Sequence, residues 1–163
     1  MPEDTIEHGD WEKGGALAIG QLDTLIGFHL RLASSAIYQD FMNEMSELAL
    51  TPKQFSVLEL IAANPGVSQI DIAGRLGMDR ATMMALTNRL ESRGFVERAP
   101  SRIDRRRQEL RLTPEGKAVL CEARKRISEH ERRFLDRFSD SEKQQFFDLL
   151  KRVYAGRTIA APE

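Results

Sequence analysis

Phe95-Val96-Glu97-Arg98-Ala99-Pro100-Ser101-Arg102-Ile103-Asp104-Arg105-Arg106-Arg107-Gln108-Glu109-Leu110-Arg111-Leu112-Thr113 is the stretch that decides the fold. Its two ends, Phe95-Val96-Glu97-Arg98 and the alternating polar and apolar run over 108–113, read as short half-buried strands. The segment between them is polar and holds Arg102, Arg105, Arg106 and Arg107, far more cation than a passive hairpin tip requires. The pattern predicts a β-hairpin that presents an arginine cluster.

Upstream of the hairpin, Asp79 stands as an N-cap before Met83, Leu86 and Leu90, with Thr87 between them, and Gly94 closes the run. That spacing predicts a helix over 80–93 with its apolar stripe turned inward. Before it, Ser68-Gln69-Ile70-Asp71 has the capping-box pattern and opens a short helix with Ile72, Ala73 and Leu76, ending at Gly77. Earlier still, Thr51-Pro52-Lys53-Gln54 combines a threonine cap, a first-turn proline and a glutamine three residues on. The helix behind it carries Phe55, Val57, Leu58, Leu60 and Ile61 and stops near Asn64-Pro65-Gly66. Two helices joined by a glycine turn and followed by a hairpin make a winged helix-turn-helix over 51–113.

The flanks are helical. Thr113-Pro114 begins a helix to about residue 138, with Val119, Leu120, Ala123 and Ile127 on one stripe, and Ser139-Asp140-Ser141-Glu142 caps a last helix carrying Phe146, Phe147, Leu149, Leu150 and Val153. Residues 16–45 read as one long helix with Leu22, Leu25, Ile26, His29, Leu32, Ala33, Ala36, Ile37 and Phe41 at helical spacing. The expected organisation is a flexible extension over 1–15, in which Trp11 has no assigned role, a dimerisation helix over 16–50, the winged helix-turn-helix over 51–113, and C-terminal dimerisation helices over 114–163. The fold class is therefore mostly α with a small β-hairpin wing. The terminal helices carry more apolar surface than a domain of ~60 residues can cover, which predicts a homodimer.

A net charge of −1 conceals a strong asymmetry. Between Arg75 and Arg111 lie ten arginines, no lysine and five acids, so this window carries +5 and the remainder −6. A basic block of arginine suits a polyanion, because the guanidinium makes planar bidentate contacts to phosphate and guanine. The expected partner is double-stranded DNA. On the outward face of the 80–93 helix, Arg80 suits guanine and Asn88 an adenine edge or a phosphate. Ala81 and Thr82 share that face, while Met84 and Ala85 offer only apolar contact, most naturally to thymine methyls. Ser68 and Gln69, at a helix N-terminus, suit phosphate. Arg89 fits a phosphate contact or an internal ion pair equally.

Other functional classes find little support. No apolar run approaches the ~18 residues of a membrane span, and the acidic N-terminus lacks the basic start of a signal peptide, so a cytoplasmic location is expected. His8, His29 and His130 show no ligand spacing, and no phosphate loop, H-E-x-x-H or G-x-S-x-G occurs. Neither enzyme activity, metal nor cofactor is expected. The lone Cys121 is expected to be a buried small hydrophobe.

Taken together, these residues resemble the MarR family of bacterial transcriptional regulators over roughly residues 20–154. The most specific part is Arg98 followed by Asp104-Arg105-Arg106 and then Leu110-Arg111-Leu112-Thr113-Pro114-Glu115-Gly116, similar to that family's wing signature. Leu50-Thr51-x-x-Gln54, Ile72-Ala73-x-x-Leu76-Gly77-Met78-Asp79 and Asn88-Arg89-Leu90-Glu91-x-x-Gly94-Phe95-Val96 match in order as well. The resemblance implies that Arg106, with Arg105 beside it, enters a minor groove, and that Asp104 and Arg98 brace the wing. Family members often place Thr and Arg where Met84 and Ala85 stand here. It further implies a repressor on a palindromic operator, released by an aromatic acid, a phenolic or an acyl-CoA thioester. For such an effector the candidate residues are Phe28, His29, Arg31, Ser35 and Tyr38, with Leu32 and Phe41 alongside; the competing reading makes this stripe core and His29 a satisfied core histidine. A winged-helix adaptor for other proteins is the alternative function.

Overall fold

The structure is a computed structural model that describes residues 17–101 and 108–156. The chain falls into two compact units, Met1–Ala36 and Ile37–Glu163.

In the first unit the expected continuous helix is interrupted. Gly20–Thr24 forms a 3-10 turn, Leu25 is extended, and helix α1 begins only at Ile26 and ends at Glu44. Gly20 sits at φ +55° and the Thr24 hydroxyl donates to the Gln21 carbonyl at 2.9 Å. Left-handed backbone and a local side-chain bond both compete with α-helical pairing. His29 is not a core histidine: its side chain is about half exposed and Nε2 lies 2.7 Å from the Asp23 carbonyl oxygen.

In the second unit the caps act where the sequence places them. Helix α2 (Pro52–Ala63) starts in a complete capping box, with the Gln54 amide donating to Thr51 Oγ1 at 3.3 Å and the Thr51 amide donating to Gln54 Oε1 at 3.0 Å. Helix α3 (Gln69–Leu76) starts at Ser68 and stops at Gly77, whose φ of +61° and ψ of +35° turn the chain sharply. Helix α4 (Arg80–Ser92) follows, capped by Asp79. Strands β1 (Val96–Pro100) and β2 (Gln108–Leu112) pair antiparallel from Val96↔Leu112 to Pro100↔Gln108. Helices α5 (Pro114–Leu135) and α6 (Asp140–Tyr154) complete the described chain, α5 ending short of the expected residue 138.

Val57, Leu58 and Ile61 of α2, Ile72 of α3, Met83 and Leu90 of α4, Val96 and Leu110 of the hairpin, and Leu120 and Ala123 of α5 form one core, none more than 2% exposed. Each large side chain buried this way contributes about 1.5–3 kcal/mol. The hairpin is locked to α5 by close backbone approach. A Cβ on Gly116 would lie 1.9 Å from the Phe95 carbonyl oxygen, and the Thr113 hydroxyl donates to the Gly94 carbonyl at 2.6 Å.

The α5 stripe extends one step beyond its predicted end, to His130, which is 1% exposed. Its Nδ1 lies 2.7 Å from Asp40 Oδ2, with the Phe41 and Phe134 rings edge-on to it. Arg133 donates to Asp40 and Glu44, and the Arg133 and His130 bonds hold the Asp40 carboxyl below its ordinary pKa. Cys121 departs from expectation: it is exposed, because it lies one residue past the buried Leu120 and so turns away from the core. Helix α6 buries none of its apolar residues.

Candidate nucleic-acid interface

The order of α3, Gly77 and α4 brings one face of each helix to a common open groove of about 720 Å³. Ser68, the α3 cap, lines it with Gln69, Ile70, Ala73 and Gly74 of α3, Met78 of the turn, Arg80, Met83 and Met84 of α4, and Gln108 at the start of β2. Four residues singled out from the sequence (Ser68, Gln69, Arg80 and Met84) thus meet at one place.

The α3 end of the groove is a helix N-terminus. Ser68 Oγ accepts from the Asp71 amide at 3.2 Å and donates to the Asp71 carboxylate at 2.6 Å, so the serine is held by its own cap. Gln69 follows at half-exposed position one, where helix amides face an incoming anion. The α4 end is capped by Asp79, whose carboxylate accepts from the Thr82 amide at 2.8 Å and the Thr82 hydroxyl at 2.5 Å. Those two bonds hold the Asp79 carboxyl below its ordinary pKa. Thr82 is therefore engaged in the cap, and only an oxygen lone pair remains for another donor.

Along α4, Arg80, Ala81, Met84, Ala85, Asn88 and Arg89 are exposed, as the stripe of Met83, Thr87 and Leu90 requires; Thr87 is buried and its hydroxyl donates to the Met83 carbonyl at 2.9 Å. Among the described residues neither Arg80 nor Arg89 makes an ion pair, which separates Arg89 from the internal salt bridge that the sequence left open. Asn88 is less free. Its Oδ1 accepts from Arg98 Nη2 at 2.6 Å, while Arg98 Nη1 pairs with Glu91. Asn88 thereby presents its amide N–H groups, which suit a phosphate oxygen better than the donor and acceptor pair of an adenine edge. Arg98, in β1, is thus tied to Asn88 and Glu91 of α4.

Asp104, Arg105 and Arg106, together with Arg102 and Arg107, lie outside the described residues, as does Trp11. Of the effector candidates, Phe28 packs edge-on to His29 at 5.5 Å and lies 5.5 Å beneath the Arg31 guanidinium, and Ser35 and Tyr38 are exposed. Phe41 is core, edge-on to Phe55.

Sequence reasoning missed a second arginine contact. At the C-terminal end of α4, Arg93 donates to the Ala49 and Leu48 carbonyls, each at 2.7 Å, and stacks over the Phe95 ring at 4.5 Å. Ala49 has φ +47° in the turn that joins α1 to α2. Spacing along the chain gave no signal for this contact, since its partners are backbone atoms more than forty residues away. Ile70 carries no separate signal in the sequence, because it sits inside the capping motif Ser68-Gln69-Ile70-Asp71.

The winged-helix segment over residues 50–107 matches the model of the MarR family. A Thauera aromatica protein named for transcriptional regulation of the hcr operon is 34% identical over 139 residues, spanning 85% of this chain and 84% of its own length. Among solved structures, the transcriptional repressor CouR bound to a 23-mer DNA duplex has a TM-score of 0.81 at 36% identity, covering 85% of this chain and 98% of that one. CouR bound to p-coumaroyl-CoA gives 0.79 at 34%, covering 86% and 99%. The PcaV regulator of Streptomyces coelicolor, in complex with its natural ligand, gives 0.77 at 34%, also covering 86% and 99%. With the helix-turn-helix, the hairpin and the Thr113-to-Gly116 junction all in place, the chain belongs to the MarR family and is a transcriptional regulator of that type.

Proposed function

We propose that this chain is a ligand-responsive repressor that binds a palindromic operator as a homodimer, in the cytoplasm, with no catalytic role. The carrying observation is the groove itself: Ser68, Gln69, Arg80 and Met84 converge on it, and its arginine is not neutralised by any described carboxylate. Phosphate contacts at the α3 N-terminus, Arg89 and the Asn88 amide would fix the register of the protein on the duplex, and α4 would enter the major groove. Arg105 and Arg106 would reach the adjacent minor groove, where narrow A·T-rich segments attract arginine.

The solved neighbours support both the DNA and the effector. CouR is seen with a DNA duplex and with p-coumaroyl-CoA, and PcaV with a natural ligand. An aromatic acid, a phenolic or an acyl-CoA thioester is the effector class for this chain, with Phe28, His29, Arg31, Ser35 and Tyr38 as its candidate contacts. Such an effector needs to favour the non-binding arrangement by only a few kcal/mol to shift occupancy.

The test begins with duplexes selected by the protein from a random-sequence library, titrated at several salt concentrations. Each phosphate contact contributes a slope of about −0.9 in log affinity against log salt. Arg106→Ala is expected to weaken binding and to flatten the slope by roughly twice that amount in a homodimer, one contact per protomer. p-Coumaroyl-CoA added to the preformed complex is expected to release the duplex. Absence of duplex affinity at low salt would overturn the regulator reading in favour of a protein adaptor.

A further inference from the structure

In the described winged-helix segment only two large hydrophobic side chains are exposed rather than buried or half-buried. Ile70 is 66% exposed and Met84 46% exposed, and both line the same groove. Scattered exposed leucines are ordinary on protein surfaces, but a pair that shares one concave site within an otherwise covered segment is not scatter. Nor does helix formation account for Ile70. It is the second residue of α3, a solvent-facing position where a β-branched side chain has lower helix propensity than the straight-chain polar residues.

The groove therefore asks for an occupant that is anionic along one edge and apolar at discrete points. Arg80 and the N-terminus of α3 supply the polar side, Ile70 and Met84 the apolar side, and the small Ala73 and Gly74 leave room between them, with nothing within 4 Å of a Cβ placed on Gly74. Duplex DNA has this combination, since the thymine C5-methyl is the apolar group of its major groove. Resting on the DNA-binding reading above, we propose that Ile70, on the helix before the recognition helix, is a specificity-determining residue: with Met84 it forms an apolar clamp that reads thymine methyl groups.

Replacing thymine by deoxyuridine removes the methyl and leaves every hydrogen-bonding group in place, so a uracil scan of a selected duplex isolates this contact. The wild type is expected to lose roughly fourfold in affinity at each methyl it reads, the equivalent of one buried methylene-sized group. Ile70→Ala should abolish the uracil penalty at one thymine per half-site and keep the penalty read by Met84; Met84→Ala should do the reverse, and Ile70→Val should retain much of the wild-type penalty. Because Ile70 is exposed, the alanine variant is expected to keep the wild-type melting temperature. If Ile70→Ala retains every uracil penalty, or weakens thymine and uracil duplexes equally, the inference is wrong. A wild type that binds its duplex tightly with no uracil penalty anywhere overturns the clamp alone, and the groove then serves another occupant. Failure to select any duplex overturns the clamp and the DNA-binding reading together.

Discussion

Arg93 joins segments that the sequence keeps far apart. Its guanidinium satisfies the carbonyls of Leu48 and Ala49, and Ala49 holds a left-handed backbone that costs a non-glycine residue about 1–2 kcal/mol. The same guanidinium covers Phe95, where the chain leaves α4 for the hairpin. Any displacement of the α1–α2 turn must therefore be met at the end of α4. Hydrogen bonds from a charged donor are worth about 1.5–3 kcal/mol at most, and these are partly exposed, so Arg93→Ala is expected to destabilise the fold by about 2 kcal/mol. That corresponds to a fall in melting temperature of roughly 4–8 °C for a chain of this size. Lysine at 93 should recover only part of the loss, because an ammonium lacks the fork that addresses two carbonyls. Ala49→Gly should move stability the other way, by up to about 1 kcal/mol, by removing the left-handed penalty. Calorimetry on the three variants checks the pattern; a melting temperature unchanged by Arg93→Ala would show the Arg93 contacts to be incidental.

At the scale of elements, the sequence spelled out the helix starts most clearly. Thr51, Ser68, Asp79, Thr113 and Ser139 all cap where their motifs place them, because a cap is a local bond between a side chain and an amide two or three residues away. The 3-10 break at 20–25 is less legible, since the apolar spacing continues across it while Gly20 and the Thr24 hydroxyl bond change the backbone. The exposure of Cys121 is hard to read for a related reason: apolar neighbours in sequence say little about facing, which the period of 3.6 decides. Of the site, the outward face of α4 could be read, whereas the Asn88–Arg98 bond and the Ile70 exposure depend on how α3, α4 and β1 meet. Junctions of this kind also set the sign of glycine substitutions. Gly116→Ala would drive a Cβ into the Phe95 carbonyl and is expected to cost about 3 kcal/mol or more, opening the hairpin–α5 junction. Gly74→Ala meets nothing and lies within α3, so it should stabilise by about 0.5–1 kcal/mol. Denaturant titration of both distinguishes them by sign, and a tolerated alanine at 116 would contradict the close approach described for α5.

For the molecule as a whole, the unresolved quantity is apolar surface. In α6, Phe146, Phe147, Leu149, Val153 and Tyr154 are each 40–51% exposed, and Phe138 stacks on Phe146 at 5.9 Å to fix the turn that leads into it. In the first unit, Leu22, Leu25, Ile26 and Leu32 are exposed by 44–63%. Such faces leave water only against another surface, and the occupant expected here is a second copy of the chain, which would also double the number of DNA contacts. The charge distribution points the same way. With +5 concentrated over 75–111 and −6 over the rest of the sequence, a polyanion is attracted to the basic window and repelled by the remainder, which is the pattern expected if two such windows are to be held on one duplex. Leu149 and Val153 are one turn apart on α6 and both exposed, which makes Leu149→Glu with Val153→Glu the direct test. Because α6 buries none of its residues within the chain, the double variant is expected to keep its helical circular dichroism. It should sediment as a monomer where the parent sediments as a dimer. Its affinity for a selected palindromic duplex should fall by on the order of 10²–10⁴, the contribution of linking two half-site contacts, while affinity for a single half-site stays near the parent's. A parent that sediments as a monomer at working concentrations, or a variant that keeps full palindrome affinity, would remove α6 from the interface.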